Sequence, residues 1–436
     1  MSRGIPETTA SVGAAPPAQS QAPRPRVLWV QTQPEHYFNR MIDDLNARGE
    51  AEFIPVFLGR GPGQYKDLPV PKSVRSVFLR RLPGKEDAPF HFWRKLHLDW
   101  RADLYPLHYQ CAFIAGYGGR TQREFISDCR NRGIPVFMYA DSNIRSQRGN
   151  ALGSRVRRRT KRLFLRRVIA SVDKILPPSP LGVAYWRYYG APLSRRLRGG
   201  SRPLRDKLVL ASCYADYATL GNASSRPRAE CFGALGLDPN KHLLFTAARL
   251  IPAKGLHLMI EAFRASGLAG KGYIWAVAGS GPLEQQLKAQ AGELLNKSIF
   301  FLGFVQPADM LALTAHAALF VLPSTYEPHG IVIQEAMAAG TPVLASDVCG
   351  AAFDLVRPGE TGWTFKSGDA AGLRRRLLQA TATPALLPAM RDAVRVKFDA
   401  WFVRTNPVVI FNNLVRQAVE NELTTHGRPH GLMRHG

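Results

Sequence analysis

Acidic residues are scarce in this chain. Only 33 Asp and Glu stand against 58 Lys and Arg in 436 residues, a formal charge of +25. Such an imbalance excludes an evenly neutralised surface and brings forward three partner classes: nucleic acid, an anionic membrane surface and an anionic small substrate. Cysteine is scarce too. The five residues (Cys111, Cys129, Cys213, Cys231, Cys349) are scattered and odd in number, with no C-x-x-C pair. That excludes a disulfide scaffold and a zinc module, and reads as reduced thiols in a cytosolic chain. No apolar run approaches the ~18–20 residues of a spanning helix, so a membrane role here means lying on the surface. Residues 1–25 are rich in Ala, Pro, Ser and Gln and lack the apolar stretch of a signal peptide; they read as a disordered leader. Residues 424–436, with sparse His426, His430 and His435, read as a disordered tail and not a metal site. With 45% hydrophobic and 10% aromatic residues, the remainder can build packed cores, and its length suits two domains.

The charge is lopsided. Residues 1–207 carry 37 Lys and Arg against 16 Asp and Glu, whereas residues 208–436 carry 21 against 17. Any account of the surplus is therefore an account of the first half.

Apolar periodicity sets the organisation. Arg26-Val27-Leu28-Trp29-Val30 is a run fit for a buried strand, and the helical spacing of Phe38, Met41, Ile42 and Leu45 predicts a helix over His36 to Arg48. A strand from Phe53 to Leu58 follows, and strand–helix–strand implies a parallel α/β sheet. Further strands are expected near Ala112 to Ala115 and Ile134 to Met138. Residues 188–241 are rich in Gly, Pro, Ser and Arg and hold a domain boundary. Beyond them strands at Leu243, Tyr273, Ala318 and Thr341 alternate with helices at Gly255, Leu283 and Ile331. Two doubly wound domains in tandem follow, with ligands outside the carboxyl ends of the strands, in the cleft between the domains.

Four pieces of the second half fall where such a sheet places its ligand loops. Arg249-Leu250-Ile251-Pro252-Ala253-Lys254-Gly255 follows a strand and opens a helix. Two cations there, facing a helix N-terminus, make a diphosphate site of charge-assisted bonds and free N–H groups. Fixed cations also stabilise a departing diphosphate without a metal. Ala278-Gly279-Ser280-Gly281-Pro282 is a second strand-end turn, either a ligand loop or a plain turn. Pro323-Ser324-Thr325-Tyr326-Glu327-Pro328-His329-Gly330 is the third. Glu335, eight residues beyond Glu327, lies about one turn inside the helix that follows. A carboxylate there is a bidentate acceptor for vicinal hydroxyls such as those of a ribose. Glu327 points at whatever that helix N-terminus binds.

From Leu243 to Leu378 these pieces stand in the order of the nucleotide-sugar domain of retaining GT-B glycosyltransferases, family 4 (glycosyl transferases group 1), which the chain resembles. The resemblance rests on E-x7-E (Glu327, Glu335), R-L-x-x-x-K-G, G-x-G-P, Glu335-Ala336-Met337-Ala338-Ala339-Gly340-Thr341-Pro342-Val343 and Val356-Arg357-Pro358-Gly359-Glu360-Thr361-Gly362. It implies an α/β GT-B fold, two Rossmann-like doubly wound domains facing a central cleft. Residues 26–217 would bind acceptor and 218–399 donor, with 400–423 a helix returning to the first domain. The implied activity is retaining transfer of a sugar, of hexosyltransferase type, from a UDP- or GDP-linked donor to a glycan or lipid-linked acceptor, in polysaccharide or glycoconjugate biosynthesis, with no cofactor and no metal. By the same resemblance Arg249 and Lys254 hold the diphosphate, Glu335 the ribose and Glu327 the transferred sugar. The Gly330 and Ile331 amides meet its phosphate side, Gly279 and Gly281 line the donor, and Phe304 flanks the base. His329 stands where many members have Phe, either a donor contact or a loop residue. Asp141 stands about where the family commonly has a first-domain His, and either binds sugar hydroxyls, orients the acceptor or caps the next element. His36 reads as an exposed helix-start residue.

Between Arg155 and Arg167 eight of thirteen positions are basic: Arg155, Arg157, Arg158, Arg159, Lys161, Arg162, Arg166 and Arg167. No acid occurs between Asp141 and Asp173. Leu165, Val168, Ile169 and Val172 recur at helical spacing, so one face is buried. A solvated helix face explains two or three such charges; eight point to an anionic membrane, at about 1 kcal/mol per basic residue. The chain is then cytoplasmic and peripheral at the inner membrane face. No base-reading module or interleaved aromatics accompany the run, which argues against nucleic acid. The rival readings are a GT-B nucleotide-sugar epimerase or phosphorylase, a non-catalytic basic binding protein, and a nucleic-acid binder.

Overall fold

The computed structural model describes residues 23–60, 69–81, 97, 99–145, 152–190, 204–215, 217 and 226–426. The expected leader, apart from residues 23–25, and His430 and His435 of the expected tail lie outside the described residues, as do the side chains of His36, Arg155, Arg157 and His426. Strands β1 (Arg26–Gln31), β2 (Glu52–Phe57), β3 (Val77–Phe78), β4 (Cys111–Ala115), β5 (Val136–Tyr139) and β6 (Lys174–Leu176) form one sheet in the order β3-β2-β1-β4-β5-β6. Strands β7 (His242–Ala247), β8 (Tyr273–Ala278), β9 (Ile299–Gly303), β10 (Leu319–Leu322), β11 (Val343–Ser346) and β12 (Gly362–Phe365) form a second, in the order β12-β11-β10-β7-β8-β9. Every pairing within them is parallel. Taken from the other edge, the second sheet repeats the order of the first, a topological repeat with no counterpart in the residues.

Each sheet is covered on both faces, which is why its central strands are apolar on both sides. Val27, Leu28 and Trp29 of β1 and Leu243, Leu244 and Phe245 of β7 are wholly buried. In the first domain Trp29, Phe53 and Phe113 belong to one core layer, and Leu28, Ile114 and Met138 to the other. The second domain divides likewise, with Phe245 and Phe320 on one face and Leu244, Trp275 and Val321 on the other. All five cysteines are buried and unbridged. Among the described residues no helix is long and apolar enough to cross a membrane.

Two expectations change. Strands β3, β6, β9 and β12 add to those expected, and β3 and β6 are too brief, at two and three residues, to show a period. The apolar stretch from Phe402 to Leu423 is not one helix. A helix Leu386–Thr405 ends beside the second domain, where Trp401 joins its core, and Pro407–His426 begins anew. Pro407 lacks the N–H to continue the first helix and suits the first turn of the second. The second helix lies on the first sheet through Val408, Phe411, Leu414 and Val415, and the Phe411 ring sits 4.8 Å from Phe113 and 5.5 Å from Trp29. Its helical backbone runs on to His426, past the point where a disordered tail was expected.

Candidate active site

In both sheets the strand order reverses beside the first strand, between β1 and β4 and between β7 and β10. The loops leaving those carboxyl ends carry the charged residues. Arg249 and Lys254 follow β7, Gly279 and Gly281 follow β8, Phe304 follows β9, and Glu327 follows β10. From the first domain Glu35 follows β1 and Asp141 follows β5.

The donor-side loops are laced together by backbone bonds. Leu250 N–H donates to the Ser280 carbonyl at 3.0 Å, Leu283 N–H to the Leu250 carbonyl at 3.1 Å, and Thr325 N–H to the Ala253 carbonyl at 2.8 Å. Such approach requires glycine. A Cβ on Gly279 would fall 2.1 Å from the Ala248 carbonyl oxygen, and one on Gly281 2.5 Å from that of Leu250. These glycines let the β8 turn pack on the Arg249 loop. Gly330 has φ +87° and caps the helix Ile331–Ala338, whose first N–H groups face the same cleft edge.

Lacing brings residues 73 apart into contact: Lys254 Nζ donates to Glu327 Oε2 at 2.6 Å. Ser324 Oγ donates to the same oxygen at 3.3 Å, and Glu327 is buried. The Lys254 ammonium is thus paired with a carboxylate from the loop after β10. Arg249 is exposed, at the cleft rim. Burial pushes the Glu335 carboxyl up to about 7, while its backbone carbonyl accepts from the Ala339 N–H at 3.1 Å. Hydroxyl donors would favour its ionised form.

His329 is withdrawn from the cleft surface, at 4% exposure. Its Nε2 lies 2.8 Å from Gln334 Nε2, and Gln334 Oε1 accepts from the Tyr217 hydroxyl at 3.2 Å. The amide donor makes Nε2 the acceptor, so the proton sits on Nδ1. Burial pushes its pKa down to about 4 and keeps the ring neutral. Ile331 leans the other way and packs against the first domain's core. Phe304 is 76% exposed beyond β9, free to be covered by a flat ligand.

Asp141 is open to the cleft yet crowded by both domains. Burial and the negative charge of Glu327 raise its pKa. Glu35, at the start of the helix His36–Ala47, is raised by burial and by Asp141, partly offset by a hydrogen bond from Tyr37. The first domain therefore presents two carboxylates, whereas the second presents Arg249 and Lys254 beside Glu327 and Glu335. No motif marks Glu35 in the sequence; its only signal there is its place just beyond β1. Among the described residues no three or more His, Cys, Asp or Glu side chains form a metal-holding group.

A cavity of about 1250 Å³ lies elsewhere, at the amino ends of β1 and β2 among Arg24, Arg26, Asn46, Glu52 and Gln110. Ligands of doubly wound sheets bind at the opposite edge, and there the charged loops converge. On the outside of the first domain, the helix Leu152–Ser171 buries Leu165, Val168 and Ile169 as its spacing predicts. Its cations do not share one solvated face. Arg158, Arg159 and Arg167 are exposed, Arg162 and Arg166 are half-buried, and Lys161 lies 5.2 and 5.4 Å from the Tyr185 and Tyr189 rings. Among the described side chains of the run, the outward cations are Arg158, Arg159 and Arg167, beside an exposed Leu163 and Tyr188.

Residues 227–396 match the family described as glycosyl transferases group 1. The chain is 32% identical over 160 residues to a glycogen synthase of Mycobacterium tuberculosis, covering 36% of this chain and 38% of that one. It is 36% identical over 178 residues to a phosphatidyl-myo-inositol mannosyltransferase of Mycobacterium leprae, covering 41% and 44%. These matches span less than half the length of either relative. The crystal structure of Anabaena HepE in complex with UDP superposes with a TM-score of 0.65 at 16% identity, over 91% of this chain and 100% of that one. This chain has two parallel sheets of one strand order and the GT-B fold, and its residues 227–396 match the glycosyl transferases group 1 family.

Proposed function

We propose that the protein transfers a sugar, with retention of configuration, from a nucleoside diphosphate sugar to a glycan or lipid-linked acceptor. The observation that carries this reading is the Lys254–Glu327 contact at 2.6 Å beside the start of the helix Ile331–Ala338. It joins the cation suited to a diphosphate and the carboxylate suited to a sugar at one helix N-terminus. In the proposed reaction the bond from the anomeric carbon to the diphosphate oxygen breaks, and Arg249 and Lys254 take up the charge. The acceptor oxygen bonds to the anomeric carbon on the same face, and its proton passes to the leaving phosphate oxygen. Glu327 holds the sugar, Glu335 the ribose, and Asp141 the acceptor side. No metal is required in this scheme, because fixed cations stabilise the leaving group.

The relatives support the acceptor class: one is named for glycogen and the other for a phosphatidyl lipid. UDP is in the complex of the HepE structure, and UDP or GDP is the donor base proposed here. The eight cations from Arg155 to Arg167, of which Arg158, Arg159 and Arg167 are exposed, support reversible docking on an anionic bilayer at about 1 kcal/mol per basic residue near the surface; in this reading the enzyme works in the cytoplasm at the inner membrane face. The test is thermal stabilisation by UDP, GDP and ADP, followed by turnover of the matching nucleotide sugars. Release of nucleoside diphosphate with transfer to an acceptor is expected. Epimer formation from donor alone would replace this reading with an epimerase, and a duplex-DNA shift stronger than vesicle binding would displace the membrane.

A further inference from the structure

Lys254, Glu327 and Asp141 sit on two domains, and their own bonds do not set the spacing across the cleft. The loop after β5 does. Asn143, two residues beyond Asp141, is 1% exposed. Its Oδ1 accepts from the Arg145 N–H at 2.8 Å, which orients the carboxamide. Its Nδ2 then faces the second domain, 3.3 Å from the Glu327 carbonyl, 3.1 Å from that of Pro328 and 2.8 Å from that of Val348. Three acceptors around one nitrogen admit an NH2 group and exclude an oxygen. Beside it Arg145 Nη1 donates to the Asp347 carbonyl at 3.0 Å, and its guanidinium lies 5.3 Å from the Phe353 ring. Gly350 completes the junction. A Cβ there would fall 2.4 Å from the Pro328 carbonyl oxygen and 2.9 Å from Ser179 Oγ of the first domain. On its own side the loop is pinned against the helix Pro180–Gly190, where a Cβ on Gly182 would come within 3.1 Å of the Ser142 carbonyl oxygen.

We propose that Asn143 is a positioning residue: its carboxamide ties the loop bearing Asp141 to the backbone of Glu327 and so holds the two walls of the cleft in register. Asn143 touches no substrate in this scheme. Its role in turnover rests on the glycosyltransferase reading; its role in holding the domains does not.

The experiment compares the full chain with N143D, which keeps the Oδ1 acceptor but turns an oxygen toward three carbonyls. R145M, at a half-exposed position of the same junction, serves should N143D not fold. Three quantities are measured: kcat and KM for transfer, the Kd for UDP or GDP by calorimetry, and the radius of gyration by small-angle scattering. N143D is expected to lower kcat by about tenfold or more, to leave the nucleotide Kd within about twofold, and to enlarge the radius of gyration. An unchanged kcat overturns the proposal. So does a parallel loss of kcat and nucleotide affinity at unchanged size, which would make Asn143 a support of the donor loop alone. Should the wild-type protein turn over no nucleotide sugar, the scattering arm still decides: expansion of N143D supports the tie, and identical size overturns it.

Discussion

The two halves of the molecule place their charge in opposite ways. The first half carries 37 basic against 16 acidic residues, yet its cleft loops present Glu35 and Asp141. The second half is nearly balanced at 21 against 17, yet its cleft loops present Arg249 and Lys254. Eight of the first half's cations lie on its outer helix, Leu152–Ser171, away from those strand ends. Net charge therefore reports the outer surface a domain shows to large partners. The sign of a site is set by the few residues at its strand ends.

Removing the second domain's cleft cations is the harshest test of that division. K254A and R249A are each expected to lower kcat/KM by about a hundredfold, the scale of losing one fixed transition-state charge. Assays of nucleoside diphosphate release check this, and near-normal turnover in both would break the comparison. D141N probes the acidic wall and is expected to lower kcat by about tenfold. Because burial and Glu327 raise the Asp141 pKa, the ionised form is lost as pH falls through that raised value. The wild-type rate should fall on its acid side there, and the variant's profile should lose that limb.

Glu335 gives a smaller and more specific signal. Its carboxyl, near 7, should ionise as a ribose binds, so nucleotide affinity should rise as pH climbs toward 7 with release of a proton. In E335Q, calorimetry in buffers of different ionisation enthalpy should show that proton release abolished and affinity weakened by about tenfold. The same shift has a stability consequence. Between the ordinary carboxyl value of 4.5 and about 7 the native state holds more protons than the unfolded one. This group's contribution to stability thus falls as pH rises through that window. The smallest catalytic effect is expected from charge reversal of Arg158, Arg159 and Arg167 together. Turnover with a soluble acceptor should stay within about twofold, while sedimentation with anionic vesicles is lost. A matching loss of turnover would place those arginines in the acid-walled cleft after all.

Much of the second domain was legible because its ligand loops are short and each follows a strand whose apolar run stands out. Arg249, Lys254 and Glu327 lie in the loops just beyond such ends, and Glu335 about one turn inside the helix that follows. The first domain was legible as strands and helices but not as a site. Glu35 and Asn143 are single polar residues in loops without a recurring pattern, and the partners of Asn143 lie 184 to 205 residues away. His329 belonged to a recognised segment, but its burial against Gln334 and Tyr217 was invisible there. The break at Pro407 could have been seen, since proline ends a helix by its own chemistry; the apolar spacing on both sides masked it.

Local order was the sequence's own decision: which runs are strands, where helices begin, and which residues stand at strand ends. Those follow from side-chain periodicity, backbone conformation and the need to bury both faces of a parallel sheet. Only the tertiary structure decided that Lys254 rests on Glu327, that Glu335 is buried far enough to hold its proton near neutrality, and that Asn143 spans the two domains. Each of these depends on distance and desolvation between segments remote in the chain, and such quantities exist only once the two domains have packed face to face.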